Sequence, residues 1–199
     1  CNLAPVVDFN INNQDILKNR VLGYDIDSII SNCSLFLDSC LVNKIVPCLK
    51  HFPGHGALNG DTHIQLSKSQ DDINLLMDFH IRQFKFFLER APLIMVNHGW
   101  YTYFDSLELP ASLSKNIITK LLKMKLNYKG LVIADSIRMN ALSENYDEKL
   151  IVESFFGAGG DLLLDPYNPI ECLNVLCSLY ENDKITFDDK IKKILKFKE

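Results

Sequence analysis

The sequence lacks the marks of several protein classes. Its longest apolar runs, such as Leu131–Ala134 and Leu162–Leu164, fall far short of the roughly 20 residues that a spanning helix needs, so no membrane span is expected. It has no basic stripe: 21 Lys and Arg stand against 25 Asp and Glu, a net charge of −4, so nucleic acid is not an expected partner. There is no GxGxxG and no P-loop, which argues against a nucleotide-binding sheet. No signal peptide or transit segment is visible. None of the six cysteines (Cys1, Cys33, Cys40, Cys48, Cys172, Cys177) pairs in CxxC spacing. A disulfide framework suits a much shorter secreted chain, so buried reduced thiols and a cytoplasmic setting are the expectation. Cys1 is the residue type of a lipidated anchor, but such anchors precede a flexible tether, whereas Leu3-Ala4-Pro5-Val6-Val7 reads as a buried strand. The start is therefore read as lying inside a larger fold.

What is present is an ordinary globular composition, 47% hydrophobic and 23% charged over 199 residues. Short apolar runs alternate with helical stretches. Strands are expected over Leu3–Phe9, Ile45–Leu49, Leu93–Val96, Leu131–Ala134 and Asp161–Leu164. Helices are expected over Ile26–Asn43, from Ile73 to Leu88, over Ser114–Lys125, around Ile151–Phe156, and after a capping box at Thr186-Phe187-Asp188-Asp189. Five strand–helix units in series imply a parallel sheet covered by helices. Asp8, Lys50-His51, His98, Asp135 and Asp165 fall just past the strand ends, which in a (β/α)8 barrel is the catalytic face. A whole barrel takes about 250 residues, so the expected fold is a single domain, residues 1–199, of (β/α)8 TIM-barrel type lacking its first three strands. Five strands leave an open sheet edge, and association or poor solubility is expected from it.

Chemistry concentrates in KHFPGHGALNGDTH, Lys50–His63. Asp61 and His63 are two residues apart, so the carboxylate can orient the imidazole for acid/base work near neutral pH. His51, His55, His63 and His98 are residue types that bind zinc, but Pro53 and Gly54 forbid the helix that gives two histidines four apart a common face. No metal is therefore expected. Asp135, directly after a buried strand, is a candidate nucleophile, base or ligand clamp, or else a helix cap.

These segments resemble family 3 glycoside hydrolases of the β-N-acetylglucosaminidase branch. The resemblance rests on NLAPVVD at Asn2–Asp8, KHFPGHG at Lys50–Gly56, Asp61-Thr62-His63, MVNH at Met95–His98, PASLS at Pro110–Ser114, GLVIADSIRM at Gly130–Met139 and AGGDLLL at Ala158–Leu164. It implies a retaining two-step hydrolysis of terminal GlcNAc from cell-wall or chitin-derived glycans, with an oligosaccharide or muropeptide as substrate and no cofactor. Asp135 matches the family's nucleophile and His63 the acid/base, with Asp61 as its partner. A neutral imidazole avoids a second negative charge beside Asp135, and Gly54, Gly56 and Gly60 suit a mobile loop. Lys50 and His51 match residues that bind sugar hydroxyls; His98 and Met139 match pocket positions. Three departures stand out. Relatives carry three further strands before the Ala-Pro-Val segment, one with a substrate-binding Asp in D-x-E-G-G. They carry a sugar-gripping arginine soon after Asn19–Gly23, where this chain reads Tyr24-Asp25-Ile26-Asp27, so no role passes to Arg20. Ser136 stands where a second acidic residue often follows the nucleophile. The alternative function is a degenerate, non-catalytic sugar-binding protein.

Overall fold

In the computed structural model, which describes residues 1–182 and 185–198, capping chemistry sets the first helix. The Asp25 carboxylate accepts from the Ser28 amide at 2.8 Å while the Ser28 hydroxyl faces the Asp25 amide at 3.2 Å. Two orphan amides are thereby satisfied, and α1 (Ile26–Val42) begins. Its inward stripe is Ile29, Cys33, Leu37 and Cys40, one side chain per helical turn. Lys44 (φ 57°) and the Ile45 amide, bonded to the Cys40 carbonyl, close the helix. The chain therefore reaches the sheet late. The strand expected over Ile45–Leu49 is instead β1 (Cys48–Phe52), so Lys50 and His51 lie on the strand rather than in the loop beyond it.

The following elements are β2 (Lys68–Ser69), α2 (Ile73–Leu75), α3 (Arg82–Phe87), β3 (Leu93–Val96), β4 (Trp100–Tyr101), β5 (Leu131–Ser136), α4 (Asn140–Ser143), α5 (Glu148–Gly157), β6 (Leu162–Leu164), α6 (Pro169–Glu181) and α7 (Asp188–Lys198). The single helix expected from Ile73 to Leu88 is broken by a π-helical turn over Leu76–His80. That wider turn brings His80 beneath the loop after β1, where it touches the space a Gly54 side chain would fill. The helix expected over Ser114–Lys125 is likewise π-wound, over Asn116–Lys125. The last helix starts one residue later than its capping box predicts, with the Ile191 amide donating to the Phe187 carbonyl.

β1, β3, β5 and β6 form one parallel sheet in that spatial order. Side-chain alternation sorts β3 and β5 between two cores. On β3, Ile94 and Val96 enter the larger cluster, with Phe52 of β1 and with Phe84, Phe87, Ile118 and Phe155 of the helical layer. Leu93 and Met95 enter the smaller one on the opposite face, with Cys48, Leu131 and Ile133. Strands buried on both faces are the property of a parallel sheet, and helices covering one face give part of a (β/α) barrel.

The strand expected over Leu3–Phe9 does not form a ladder. The segment runs parallel beside β1 with two isolated bridges, Asn2 to Pro47 and Val6 to Lys50. Pro5 has no N–H to donate, which confines it to an edge. Four strands, not five, thus carry the ladder, and the edge segment delivers Asp8 to the strand ends. The cysteines are all free, with Cys1 and Cys177 exposed and the other four buried. Among the described residues, no helix is long and apolar enough to cross a membrane.

Phe84 is fully buried and meets Phe52 edge to face at 5.2 Å. Phe84→Ala is expected to lower unfolding free energy by roughly 3–5 kcal/mol, read as a reduced urea midpoint with an unchanged slope.

Candidate active site

Polar side chains converge at the C-terminal ends of β1, β3 and β5. At the centre is Asp8, fully buried. Its Oδ2 accepts from the His51 amide at 3.0 Å and from His51 Nδ1 at 2.7 Å, and its Oδ1 accepts from the His55 amide at 2.7 Å. Burial alone would raise its pKa, but His51 and His55 outweigh that and hold it below the ordinary carboxylate value. With Nδ1 donating to Asp8, the His51 ring turns Nε2 outward, 4.0 Å from Asp135 Oδ2. Arg20 donates to the same Nε2 at 3.4 Å.

Asp135 is the last residue but one of β5, with 17% of its side chain exposed. Its Oδ1 accepts from the Ser136 amide at 2.8 Å, which leaves Oδ2 toward the cleft. Burial again opposes ionisation, yet His51, His98, the Ser136 amide and Lys50 together lower its pKa. Asp135 is thus a carboxylate at neutral pH, directed by its neighbours and partly open. Lys50, half-buried nearby, has its own pKa lowered by burial and by Arg20, against the pull of Asp135. His98 is buried, with Nδ1 at 2.8 Å from the Ser112 hydroxyl and Nε2 donating to the Ser136 carbonyl at 3.0 Å. Its pKa is lowered by burial, so it braces the Asp135–Ser136 peptide as a neutral ring.

Asp61 and His63 lie on a loop over this cleft. His63 is half exposed, and its Nδ1 lies 2.7 Å from Asp61 Oδ1, which also accepts the His63 amide at 2.8 Å. Partial burial works against the Asp61 charge, but His63 outweighs it and the pKa is lowered. The loop base is pinned. β2 pairs with β4 in parallel, and the Asn59 amide bonds the Lys68 carbonyl at 3.0 Å. Between Asp61 and His63, Thr62 is fully buried. Its hydroxyl meets His55 Nε2 at 3.1 Å, and its carbonyl accepts from the Ala141 amide at 3.3 Å. Gln14 Nε2 donates to the His55 and Leu58 carbonyls, so its Oε1 faces His55 Nδ1 at 3.0 Å as an acceptor. That assignment puts the ring proton on Nδ1 and leaves Nε2 to accept from Thr62. Burial lowers the His55 pKa to about 4, which keeps this arrangement at neutral pH.

The structure therefore brings Asp8, His51 and Asp135 into one cluster, sets Lys50 and His98 around it, and holds Asp61 and His63 as a pair on the loop above. Met139 is buried, its amide donating to the Ser136 carbonyl ahead of α4. Gly54 and Gly56 do not serve loop mobility as expected. Gly54 takes φ 135°, and a Cβ on Gly56 would sit 1.9 Å from the Phe9 carbonyl oxygen; both are buried packing points. Two contributors escaped the sequence reading. Arg20 comes from the irregular stretch before α1, where no periodicity marks it. Gln14 is one polar residue among many there, and only the fold puts it against His55. Among the described residues, no group of three or more His, Cys, Asp or Glu side chains is arranged to hold a metal ion.

A parallel β/α sheet with an ionised acid and further polar groups gathered at its strand ends has the catalytic-face layout of a (β/α) barrel enzyme. The chain belongs to glycosyl hydrolase family 3: residues 1–197 match the family's N-terminal domain. It is 28% identical over 200 residues to a beta-hexosaminidase of Glaesserella parasuis, covering 98% of this chain and 57% of that protein. It is 27% identical over 179 residues to beta-hexosaminidase A of Pseudoalteromonas piscicida, covering 83% of this chain and 30% of that one. Among solved structures, a family 3 beta-N-acetylglucosaminidase from Paenibacillus superposes with a TM-score of 0.92 at 26% identity, over 99% of this chain and 39% of that one. The beta-N-acetylglucosaminidase of Thermotoga maritima gives 0.84 at 32% identity, over 98% of this chain and 42% of that one. The chain thus spans between about a third and somewhat over half of these relatives' length.

The acid limb of stability follows from these groups. His55 has its folded pKa near 4, below its ordinary 6.5, so its contribution is full above about pH 6.5 and is lost as pH falls toward 4. Asp8 and Asp135, with folded values below 3.8, contribute fully above the unfolded value of about 4 and lose that as pH falls through their folded values. Urea midpoints measured across this range are expected to fall continuously with acidification. Asp8→Asn, which leaves a buried N–H facing an N–H, is expected to cost roughly 3–5 kcal/mol at pH 7 and to flatten the limb below about pH 4.

Proposed function

We propose that this chain supplies the catalytic groups of a retaining β-N-acetylglucosaminidase acting on terminal GlcNAc of oligosaccharides or muropeptides. The observation that carries this reading is the Asp135 carboxylate: ionised, one oxygen tied back by the Ser136 amide, the other facing the cleft beside His51. In the first step, Asp135 Oδ2 attacks the anomeric carbon and the bond to the leaving sugar breaks. His63 gives its proton to the leaving oxygen while Asp61 stabilises the ring. In the second step, His63 takes a proton from water, and the water cleaves the glycosyl–Asp135 ester, restoring both groups. Lys50, His51 and Arg20 are placed to bind sugar hydroxyls, and His98 keeps the Asp135–Ser136 peptide in position. Relatives named beta-hexosaminidase support the substrate class. A non-catalytic sugar-binding role rests on the arginine that this chain lacks after Gly23; Arg20, 3.4 Å from His51 Nε2, offers a guanidinium beside the same histidine.

Hydrolysis of aryl and alkyl N-acetylglucosaminides tests the reading. Asp135→Asn is expected to lower kcat by at least about 10⁴-fold. His63→Ala is expected to lose roughly 10²–10⁴-fold on an alkyl glycoside and much less on an aryl one, whose leaving group needs little protonation. Equal losses on both would remove His63 from the acid role.

A further inference from the structure

The rim of the cleft carries an exposed aromatic ring that the reading above does not use. Tyr167 follows β6, and its side chain is 57% exposed, yet it is not loose. The Arg138 guanidinium lies 4.7 Å over its ring centre. That guanidinium is itself fixed, Nε donating to the Asp165 carbonyl at 3.0 Å and Nη2 to the Pro166 carbonyl at 3.1 Å. Glu148 accepts the Tyr167 amide at 2.6 Å and the Asn168 amide at 3.2 Å. Asp165 adopts a left-handed backbone (φ 64°), uncommon away from glycine and a pointer to function. Its Oδ2 accepts from the Ser136 hydroxyl at 3.0 Å, one residue from Asp135. An aromatic ring is thus clamped on one side, open on the other, and tied through two residues to the carboxylate of the site.

Its direction follows from the chemistry. An acid must stand beside the leaving oxygen, so the leaving sugar sits on the His63 side of Asp135. There the Thr62 carbonyl rests on the Ala141 amide, and the wall beneath is the stretch from Ser136 to Ala141, which carries Arg138. Arg138 stands on that wall and carries the Tyr167 ring against it.

We propose that Tyr167, held by Arg138, is a stacking platform for the first sugar ring of the leaving group, a β-linked hexopyranose such as the second unit of chitobiose. Such a ring presents an apolar C–H face to the aromatic plane, with dispersion as the attraction, and its hydroxyl edge meets Asp165. The clamp removes most of the ordering cost before binding. This rests on the proposed glycosidase reading and extends it from the cleaved sugar to the group that departs.

The test uses the 199-residue chain and compares kcat/KM for chitobiose with that for N-acetylglucosaminyl fluoride, whose leaving group is too small to reach the ring. Tyr167→Ala is expected to lower the chitobiose-to-fluoride ratio by roughly five- to tenfold, and Tyr167→Phe to restore it within about twofold. An unchanged ratio, or equal losses on both substrates, overturns the platform. Should the unsubstituted chain cleave neither substrate, the glycosidase reading fails, and calorimetry on the same three proteins decides the platform. A selective loss of chitobiose affinity relative to GlcNAc in Tyr167→Ala supports it; an unchanged affinity ratio overturns it.

Discussion

The site depends on one buried negative charge. Asp8 has no solvent to stabilise it and instead receives three N–H donors, two from His51 and one from His55. A buried carboxylate survives only with such compensation. In meeting that need, the chain fixes two histidines at once. His51 is turned so that its other nitrogen faces Asp135 at 4.0 Å, and the His55 backbone is held so that its ring reaches Thr62. The carboxylate at β5 and the loop above it are thereby referenced to the same point, although Asp8 faces no cleft itself.

The loop bearing His63 combines freedom and restraint unequally. Its catalytic candidates flank a residue that is fully buried and bonded on both sides. Thr62 is a held point, with the more open Asp61 and His63 on either side of it. The glycines of KHFPGHG belong to the restraint. Their missing side chains let Phe9 and His80 approach the backbone, which packs the loop after β1 densely.

Much of this was legible in the sequence, for identifiable reasons. Val132-Ile133-Ala134 and Leu93–Val96 are apolar at every position, which only a doubly covered strand requires. An acid after such a run has no packing role, so Asp135 stood out. The Asp61–His63 pair was visible because its contact is local. Three features were hidden. Pro5 lowers the first strand to an edge segment, a consequence of its partner rather than of its own apolar character. The π turns before His80 and over Asn116–Lys125 arise from tertiary packing, since apolar spacing alone fits a regular helix. Arg20 and Gln14 act across long separations in sequence, and nothing in their neighbours marks them.

The pinning of the loop base by β2 and β4 limits what can swing. Between Asn59 and Lys68 only the short stretches on either side of the buried Thr62 lie outside that restraint. Any swing of Asp61 and His63 within so short a span would leave the strands that carry Asp135 in place, so the pair could change its distance to the carboxylate without disturbing the sheet.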